Sequence, residues 1–358
     1  MKIKLSVPQI GFSEMRAVNR VLKSGNLTQG REVAGFEEDF SKIVGERSCV
    51  AVNSGTSALH ISLLSLGIGN GDEVIVPSFT FAATANVVKL VGATPIFVDI
   101  NDLTFNIDEE LLLNSISNRT RAIIVVHLYG LPANMNEIAK IAEKHNLLVI
   151  EDAAQAHLAE CNGQAVGTFS HAAAFSFYAT KNMTSGEGGM AVFSSDKVAR
   201  IARLLRNQGM ETRYSNEIIG FNLRMTDIHA SIGRVQLKKL SSWTDKRIEN
   251  ASYLTSKLDG IVKVPAVPKN FKHVFHQYTI RVPANKRERL IKKLDAIGVG
   301  CGIYYPIPVH ELPPFNDKEF NLPVTKIATE EVLSIPVHPK LKRRELDYIV
   351  SGTMQGLE

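Results

Sequence analysis

The segment FSFYATKNMTSGEGGM, residues 175 to 190, changes from an apolar run to a loop rich in glycine and serine, and its one lysine, Lys181, stands at the change. The apolar run is typical of a strand buried on both faces of a sheet. Open α/β sheets bind ligands just beyond such strand ends. Most lysines lie at the surface, but one held in a pocket loses its proton more easily and becomes a nucleophilic amine. The segment predicts a buried strand and raises the hypothesis of a reactive lysine.

Short apolar runs alternate with helical patterns around this segment. Helical segments such as TSALHISLLSLG (56–67) and NMNEIAKIAEKHN (134–146) separate the runs. Strand, helix, strand at this spacing predicts an α/β fold with a mainly parallel central sheet and helices on both faces. The candidate strands are CVAVN (49–53), EVIVP (73–77), TPIFVD (94–99), RAIIVVHL (121–128), LLVIED (147–152), AAAFSF (172–177) and MAVFS (190–194).

A segment without proline, residues 225 to 260, predicts a long helix that leads out of this sheet. The remainder has an α+β pattern, and we divide the chain into a large α/β domain, residues 1–240, and a small C-terminal α+β domain, residues 241–358. The elements predicted there are a strand at HQYTIRV (276–282), a helix at NKRERLIKKLDAIG (285–298), a short strand near GCGIYY (300–305) and a helix at RRELDYIVSGTMQGL (343–357).

Composition indicates a folded chain that works on a small molecule. Of 358 residues, 44% are hydrophobic and 22% are charged, which is unlike a disordered protein. The net charge is +5, but the sequence contains no dense basic run. This favours an anionic small substrate over nucleic acid. Three distant cysteines show neither metal-ligand spacing nor a disulfide framework. With no signal segment or membrane span, we expect a cytoplasmic protein without a metal.

Two other predicted strands end in polar groups. Gly55 and Thr56 follow CVAVN at the start of a helix, where free N–H groups form a phosphate seat; an ordinary capped helix start is the alternative. Asp152 ends LLVIED, where a carboxylate either caps the next turn or pairs with a cationic ligand atom. A phosphate seat, a carboxylate and an amine-bearing Lys181 together match the needs of pyridoxal 5′-phosphate (PLP), an aldehyde cofactor that forms a Schiff base with lysine.

The chain also resembles the DegT/DnrJ/EryC1/StrS family of sugar-nucleotide aminotransferases over almost its whole length. That resemblance implies the fold of the fold-type I PLP-dependent enzymes. The motifs that carry it occur in the family's order: SGNLTQG, NSGTSALH, PSFTFAATANVV, HLYG, IEDAAQAH, FSFYATKN, TSGEGG, GFNLRMTDIHAS and YYPIPVH.

The resemblance implies a role for each matching residue. Lys181 corresponds to the lysine that carries PLP, and Asp152 to the partner of its pyridine nitrogen. The other implied cofactor contacts are Gln155 beside the ring oxygen, Phe81 stacked on the ring (core packing is the alternative), and Gly55, Thr56 and Ser176 at the phosphate. Asn222 corresponds to a residue that reaches the cofactor phosphate of a neighbouring subunit, which implies a homodimer with shared active sites. Positions near the substrate are Arg224, Tyr305 and His310, although His310 equally suits a loop histidine that caps backbone.

The implied reaction is a transamination with L-glutamate or L-glutamine as donor and a nucleotide-linked keto-deoxysugar as acceptor, in the biosynthesis of amino sugars, polysaccharides or secondary metabolites. TSGEGG after the lysine favours amination at C4 over C3. Three alternatives remain open: a related sugar dehydratase, which carries histidine where this chain has Lys181, a PLP-binding regulator without catalysis, and a PLP enzyme acting on an amino acid. The last would need an arginine for the α-carboxylate, and Arg224 is the nearby candidate.

Overall fold

Seven apolar runs form the central sheet. The structure is a computed structural model that describes residues 1–316 and 318–358. The strands in these residues are β1 Ser48–Val52, β2 Glu73–Pro77, β3 Thr94–Val98, β4 Thr120–Val126, β5 Leu148–Asp152, β6 Glu160–Cys161, β7 Gln164–Ala165, β8 Ala172–Ser176, β9 Gly189–Phe193, β10 Phe271–Lys272, β11 Tyr278–Arg281 and β12 Val332–Ile335.

Helices connect most of the strands. The α-helices are α1 Phe12–Ser24, α2 Arg31–Ser41, α3 Gly55–Ser65, α4 Ala83–Leu90, α5 Glu109–Asn114, α6 Met135–His145, α7 Asp196–Arg206, α8 Asp227–Leu258, α9 Ala284–Ala296, α10 Pro323–Glu331 and α11 Arg343–Leu357. Short 3₁₀ turns cover Leu128–Gly130 and Val309–Glu311. In the part of the chain described, no helix is both long and apolar enough to cross a bilayer.

The strand order of the main sheet is β1-β9-β8-β5-β4-β2-β3. Neighbours from β8 to β3 are parallel, and β9 alone runs antiparallel to its neighbours β1 and β8. The predicted, mainly parallel α/β fold is therefore confirmed. Because β1, β2, β4, β5 and β8 point the same way, their carboxyl ends meet at one edge of the sheet.

Apolar clusters cover both faces of the sheet, which explains why its strands are apolar throughout. On one face, α3, α4 and α7 pack on the strands through side chains such as Leu59, Val87 and Leu205. Toward the other face, Phe36 and Phe40 of α2 pack with the strand residues, together with α8. Every residue of β2, β8 and β9 is buried as a result.

The C-terminal part has its own apolar cluster, formed by β11, β12, α9, α11 and the second half of α8. Helix α8 belongs to two clusters, because Ala230 and Leu240 pack with the sheet while Leu254 and Leu258 pack with the C-terminal elements. The boundary predicted near residue 240 falls inside this helix, and the division into domains stays a prediction. The prediction of a short strand near GCGIYY is wrong, because only an isolated bridge between Gly302 and Ser334 forms in that segment.

A buried hydrogen bond between Glu151 and His127 fixes the edge of the sheet beside Asp152. Glu151 and His127 are both fully buried, and His127 Nε2 lies 3.0 Å from a Glu151 oxygen. His127 Nδ1 accepts a hydrogen bond from the Ala133 N–H, so the ring proton is on Nε2 and is donated to Glu151. The Gly167 N–H and the Ser170 hydroxyl also donate to Glu151, at 2.8 and 2.7 Å. Burial opposes the charge, but these hydrogen bonds hold the pKa of Glu151 below its ordinary value.

Glu151→Gln is expected to lower the free energy of unfolding by about 2 to 3 kcal/mol, because the amide gives up the charge that these donors face. Glu137→Gln is the control, since Glu137 is exposed and forms a surface ion pair with Lys140; the substitution should cost about 0.5 kcal/mol or less. Urea unfolding of both variants measures the two losses. Equal losses would contradict the role given to Glu151.

Candidate active site

Lys181 and Asp152 meet at the carboxyl edge of the sheet. Asp152 is the last residue of β5 and pairs in register with Ala174 of β8, the strand that leads to Lys181 five residues after its end. The Lys181 N–H donates to the Tyr178 carbonyl at 2.9 Å, closing a turn that brings the lysine back toward the edge. Burial lowers the pKa of Lys181 from 10.5 to about 8, and the negative charge of Asp152 acts in the opposite direction. The amine therefore loses its proton far more readily than a surface lysine does.

The Asp152 carboxylate is held in a fixed orientation. Thr84 Oγ1 donates to one oxygen at 2.8 Å, and the Ala154 N–H donates to the other at 3.2 Å. Burial raises the pKa of Asp152, while these two hydrogen bonds and the Lys181 charge oppose the rise. A cationic N–H placed beside this carboxylate would favour its ionised form further. The sequence analysis missed Thr84, although it lies three residues after Phe81 in the first turn of a helix that begins at this edge.

The start of α3 has the form of an anion seat. Ser54 caps the helix, and its hydroxyl accepts the Ser57 N–H at 3.1 Å. Gly55 and Thr56 occupy the first turn, where N–H groups have no carbonyl one turn earlier. A Cβ on Gly55 would lie only 2.7 Å from the Ser176 Cβ, so the absence of a side chain is what lets the helix start approach β8. Gly55, Thr56 and Ser176 thus lie together, with free donors for a phosphate.

Gln155 and Tyr305 form a wall of the site. Gln155 Oε1 accepts the Tyr129 N–H at 2.7 Å, and its Nε2 donates to the Tyr305 hydroxyl at 3.1 Å. The Tyr305 ring lies 6.1 Å from that of Phe81, centroid to centroid. Phe81 is 59% exposed, so the core-packing alternative for Phe81 does not hold. An exposed aromatic ring beside a buried carboxylate is available to stack on a planar ligand.

Arg224 and Asn222 lie beside the end of β1. Arg224 forms an isolated bridge with Val52, and its Nη1 donates to Asn207 Oδ1 at 2.9 Å. Asn222 forms a bridge with Asn207 and is exposed. Both residues therefore flank the strand that leads into the anion seat, with Arg224 half-buried and Asn222 facing outward.

His310 is less closely connected to this group. It is buried, its Nδ1 lies 2.5 Å from the Ser78 hydroxyl, and its ring lies 6.2 Å from that of Phe97. Burial lowers the pKa of His310. Within the described residues, its hydrogen-bonding and ring partners are all outside the set around Lys181. A substrate contact by His310 stays a prediction.

Comparison with known proteins agrees with this arrangement. The sequence pattern of the DegT/DnrJ/EryC1/StrS aminotransferase family matches residues 8–353. The chain belongs to this family. It is an aminotransferase that depends on PLP, and solved structures of similar chains hold the cofactor in its pyridoxal and pyridoxamine forms.

Individual relatives are similar over nearly their whole length. A pleiotropic regulatory protein of Geobacillus stearothermophilus is 39% identical, with 97% of each chain covered. A UDP-N-acetyl-3-dehydro-α-D-glucosamine 3-aminotransferase of Acidithiobacillus ferrooxidans is also 39% identical, with 94% of this chain and 92% of that protein covered. The crystal structure of DesV from S. venezuelae, in complex with a ketimine intermediate, is 38% identical with a TM-score of 0.93, covering 96% and 94% of the two chains.

The residues at the edge of the sheet suit PLP in three separate ways. Gly55 lets Ser176 approach the start of α3, so the Ser176 hydroxyl and the free N–H groups of the helix lie together as donors for a phosphate. The buried Asp152 oxygens have protein donors on one side and suit a protonated pyridine nitrogen. The amine of Lys181, with a pKa of about 8, suits an aldehyde. In the described residues, no group of three or more His, Cys, Asp or Glu side chains is arranged to hold a metal ion.

Gly55→Ala is expected to weaken PLP binding by about 10-fold or more, because the new methyl group meets Ser176 and displaces the helix start from the phosphate. Gly69→Ala is the matched control, since a Cβ there makes only an ordinary contact of 3.6 Å. Titration of each apoprotein with PLP, followed by visible absorbance, measures the dissociation constants. Equal affinities in the two variants would contradict a role of Gly55 in binding the phosphate.

The rate at which the apoprotein captures PLP should rise with pH through about 8, because only the neutral amine attacks an aldehyde and burial lowers the Lys181 pKa to about 8. An unperturbed lysine would give a midpoint near 10.5. Asp152→Asn removes the charge that raises the lysine pKa, so its midpoint should lie below that of the wild type. Stopped-flow absorbance at a series of pH values locates both midpoints, and a wild-type midpoint near 10.5 would refute a desolvated amine.

Proposed function

We propose that this aminotransferase moves an amino group from L-glutamate or L-glutamine to a nucleotide-linked keto-deoxysugar, at C4 of the sugar. The observation that carries the proposal is the placement of a partly desolvated amine, Lys181, near the buried carboxylate of Asp152 at the carboxyl edge of the adjacent strands β5 and β8. The similarity to a relative named as a 3-aminotransferase of a UDP-linked 3-dehydro sugar supports a nucleotide-sugar acceptor. The assignment to C4 is based on TSGEGG after the lysine and not on this relative. The net charge of +5 suits a substrate that contains a diphosphate.

Each side chain at the edge has a distinct task toward the cofactor. Gly55, Thr56 and Ser176 would hold the phosphate, Asp152 the pyridine nitrogen, and Gln155 the ring oxygen. Phe81 would cover one ring face, for which its 59% exposure leaves it free. The bound cofactor supplies an electron sink that stabilises negative charge at the carbon that loses a proton.

Lys181 would serve both as the covalent anchor and as the general base. Once released, its Nζ takes a proton from the donor α-carbon, and in the second half of the reaction it delivers a proton to the sugar carbon that receives the amine. An amine with a pKa of about 8 is suited to both directions, because its two protonation states are close in free energy near neutral pH. Arg224 and Tyr305 would contact the substrate.

A second copy of the chain would complete the site. Asn222 is exposed beside β1, in the position expected for a residue that reaches a neighbouring subunit's phosphate. Large apolar side chains are exposed nearby in sequence, among them Ile219, which is 92% exposed, and Tyr214, which is 80% exposed. Apolar surface of this kind is typical of a protein interface, and supports a homodimer with shared active sites.

The alternatives are weaker for physical reasons. A dehydratase of this family would carry histidine at position 181, and the amine of Lys181 opposes that assignment. A regulator without catalysis has support in the name of one relative, but it gives no reason for a desolvated amine beside Asp152. For an amino-acid substrate, Arg224 would have to bind the α-carboxylate through its other N–H groups, because its Nη1 already donates to Asn207.

The proposal is tested with the PLP-loaded protein and a panel of substrates. L-glutamate should bleach the visible absorbance, and a nucleotide-linked 4-keto sugar should restore it. Restoration by 3-keto sugars alone would overturn the assignment to C4, and a protein that L-glutamate and L-glutamine both leave unchanged would overturn the proposed donors.

Lys181→Ala should abolish the adduct that borohydride traps between the protein and PLP, and should lower kcat by at least about 10²-fold, because anchor and base are lost together. Lys140→Ala is the control, since Lys140 is an exposed lysine whose ion-pair partner among the described residues is Glu137. Mass spectrometry of the reduced protein locates the adduct. A persistent adduct on another lysine would show that Lys181 is the wrong residue.

A further inference from the structure

A five-residue strap, His273–Gln277, crosses the back of the active site on its way to β11. The Val274 N–H donates to the Gly130 carbonyl at 3.0 Å, and the Gln277 N–H donates to the Tyr129 carbonyl at 3.3 Å. The fit is close: a Cβ on Gly130 would meet Val274 Cγ2 at 2.8 Å and the backbone nitrogen of His276 at 3.1 Å. The strap therefore lies directly against the turn whose Tyr129 N–H holds Gln155.

Asn182, the residue after Lys181, joins the strap to the lysine. Its Nδ2 donates to the Val274 carbonyl at 3.2 Å, and its Oδ1 lies 3.3 Å from His276 Nδ1. Because the Val274 carbonyl only accepts, the orientation of the Asn182 amide is fixed. Oδ1 is then an acceptor, so His276 Nδ1 carries the ring proton and donates it.

This hydrogen bond leaves His276 Nε2 as an unprotonated acceptor. No hydrogen bond to Nε2 comes from the residues that the structure describes. Both His276 and Lys181 are partly exposed as residues. Burial, and then the positive charge of Lys181, push the pKa of His276 well below its ordinary value; Arg247, His157 and His273 act in the same direction. The imidazole is therefore neutral at physiological pH and does not compete for the lysine's proton.

We propose that His276, oriented by Asn182, is a positioning residue for Lys181: when the amine is free of the cofactor, it turns to donate a hydrogen bond to the open Nε2, which directs the amine's lone pair toward the substrate carbon. A neutral amine has two N–H groups and one lone pair, so an acceptor that holds one N–H limits where the lone pair points. The inference rests on the proposed role of Lys181 as general base. It adds His276, which lies 95 positions after Lys181 in the chain, to the residues that act on the lysine.

Three substitutions at one position separate this role from simple support of the strap. In His276→Gln, the side-chain oxygen reaches approximately the place of Nε2 and keeps the acceptor. In His276→Asn, the shorter amide reaches only the place of Nδ1, so the bond to Asn182 is kept and the acceptor is lost. His276→Phe loses both. We expect kcat to fall on the order of 10- to 100-fold in the Asn and Phe variants and much less in the Gln variant, with KM for the donor unchanged.

A second measurement does not depend on turnover. When the protein is loaded with pyridoxamine phosphate, the Lys181 amine is free, and trace labelling with acetic anhydride at a series of pH values, followed by mass spectrometry, gives its pKa. Loss of the acceptor removes a hydrogen bond from the ammonium form, so the Asn and Phe variants should titrate below the wild-type value of about 8 and the Gln variant close to it. Asp152 is the charged group that raises this pKa, and it is unchanged in all four proteins.

Each outcome bears on a different claim. Asn and Gln variants that match each other in both kcat and lysine pKa would reduce His276 to a support of the strap, and a Phe variant that matches the wild type would remove it from the site. Thermal unfolding of all three variants identifies any that fail to fold, and the comparison of Gln with Asn stands without the Phe variant. Failure of the proposed function is seen separately, as the absence of a borohydride-trapped adduct on Lys181 in the wild-type protein.

Discussion

The active site depends on the partial removal of one ammonium group from water beside a single carboxylate. Desolvation of Lys181 favours the neutral amine, and Asp152 limits how far that effect goes, which leaves the lysine pKa at about 8 instead of at 10.5. Neither effect alone would give a reactive amine of this kind. Without the carboxylate, burial of the ammonium charge would cost more free energy. Without burial, the amine would stay protonated at neutral pH. The two groups are neighbours because β5 and β8 are adjacent, parallel and in register.

The rest of the edge keeps this pair in place. Thr84 and the Ala154 N–H fix the Asp152 carboxylate from one side, and the Glu151–His127 pair holds the strand beneath it. Buried pairs of this kind are weak evidence for net stability, but they are costly to break. These contacts matter because they fix orientation: the Asp152 carboxylate cannot turn, so it presents the same side to every ligand.

The sequence predicts most of the sheet, because strands buried on both faces are apolar along nearly their whole length. EVIVP is β2 residue for residue, and the other six predicted runs match their strands within one or two residues at each end. Helices α1, α2, α5 and α10 have no counterpart among the predicted segments. Three of them, α1, α2 and α10, lie outside the regular strand–helix alternation, and α5 lies within it but has only six residues. The strand expected near GCGIYY is a single bridge to Ser334, because β12 pairs with β11 and not with this segment.

The site was predictable where a residue directly follows a strand, as for Asp152, or where a motif resembles the family, as for Gln155. Thr84 and His276 carry no such signal. Thr84 reaches Asp152 from a helix 68 positions earlier in the chain, and His276 reaches the neighbourhood of Lys181 through Asn182, 94 positions away. Such contacts follow from tertiary packing, which one sequence without homologues does not record.

Helix α8 connects the two regions of the molecule. Its first half lies in the apolar cluster of the main sheet and its second half in that of the C-terminal elements. A cut within residues 227–258 would divide this helix and would also take Val274 and Phe315 from the main-sheet clusters and Ile3 from the C-terminal cluster. Since neither fragment would keep a complete interior, we expect the two regions to unfold as one cooperative unit.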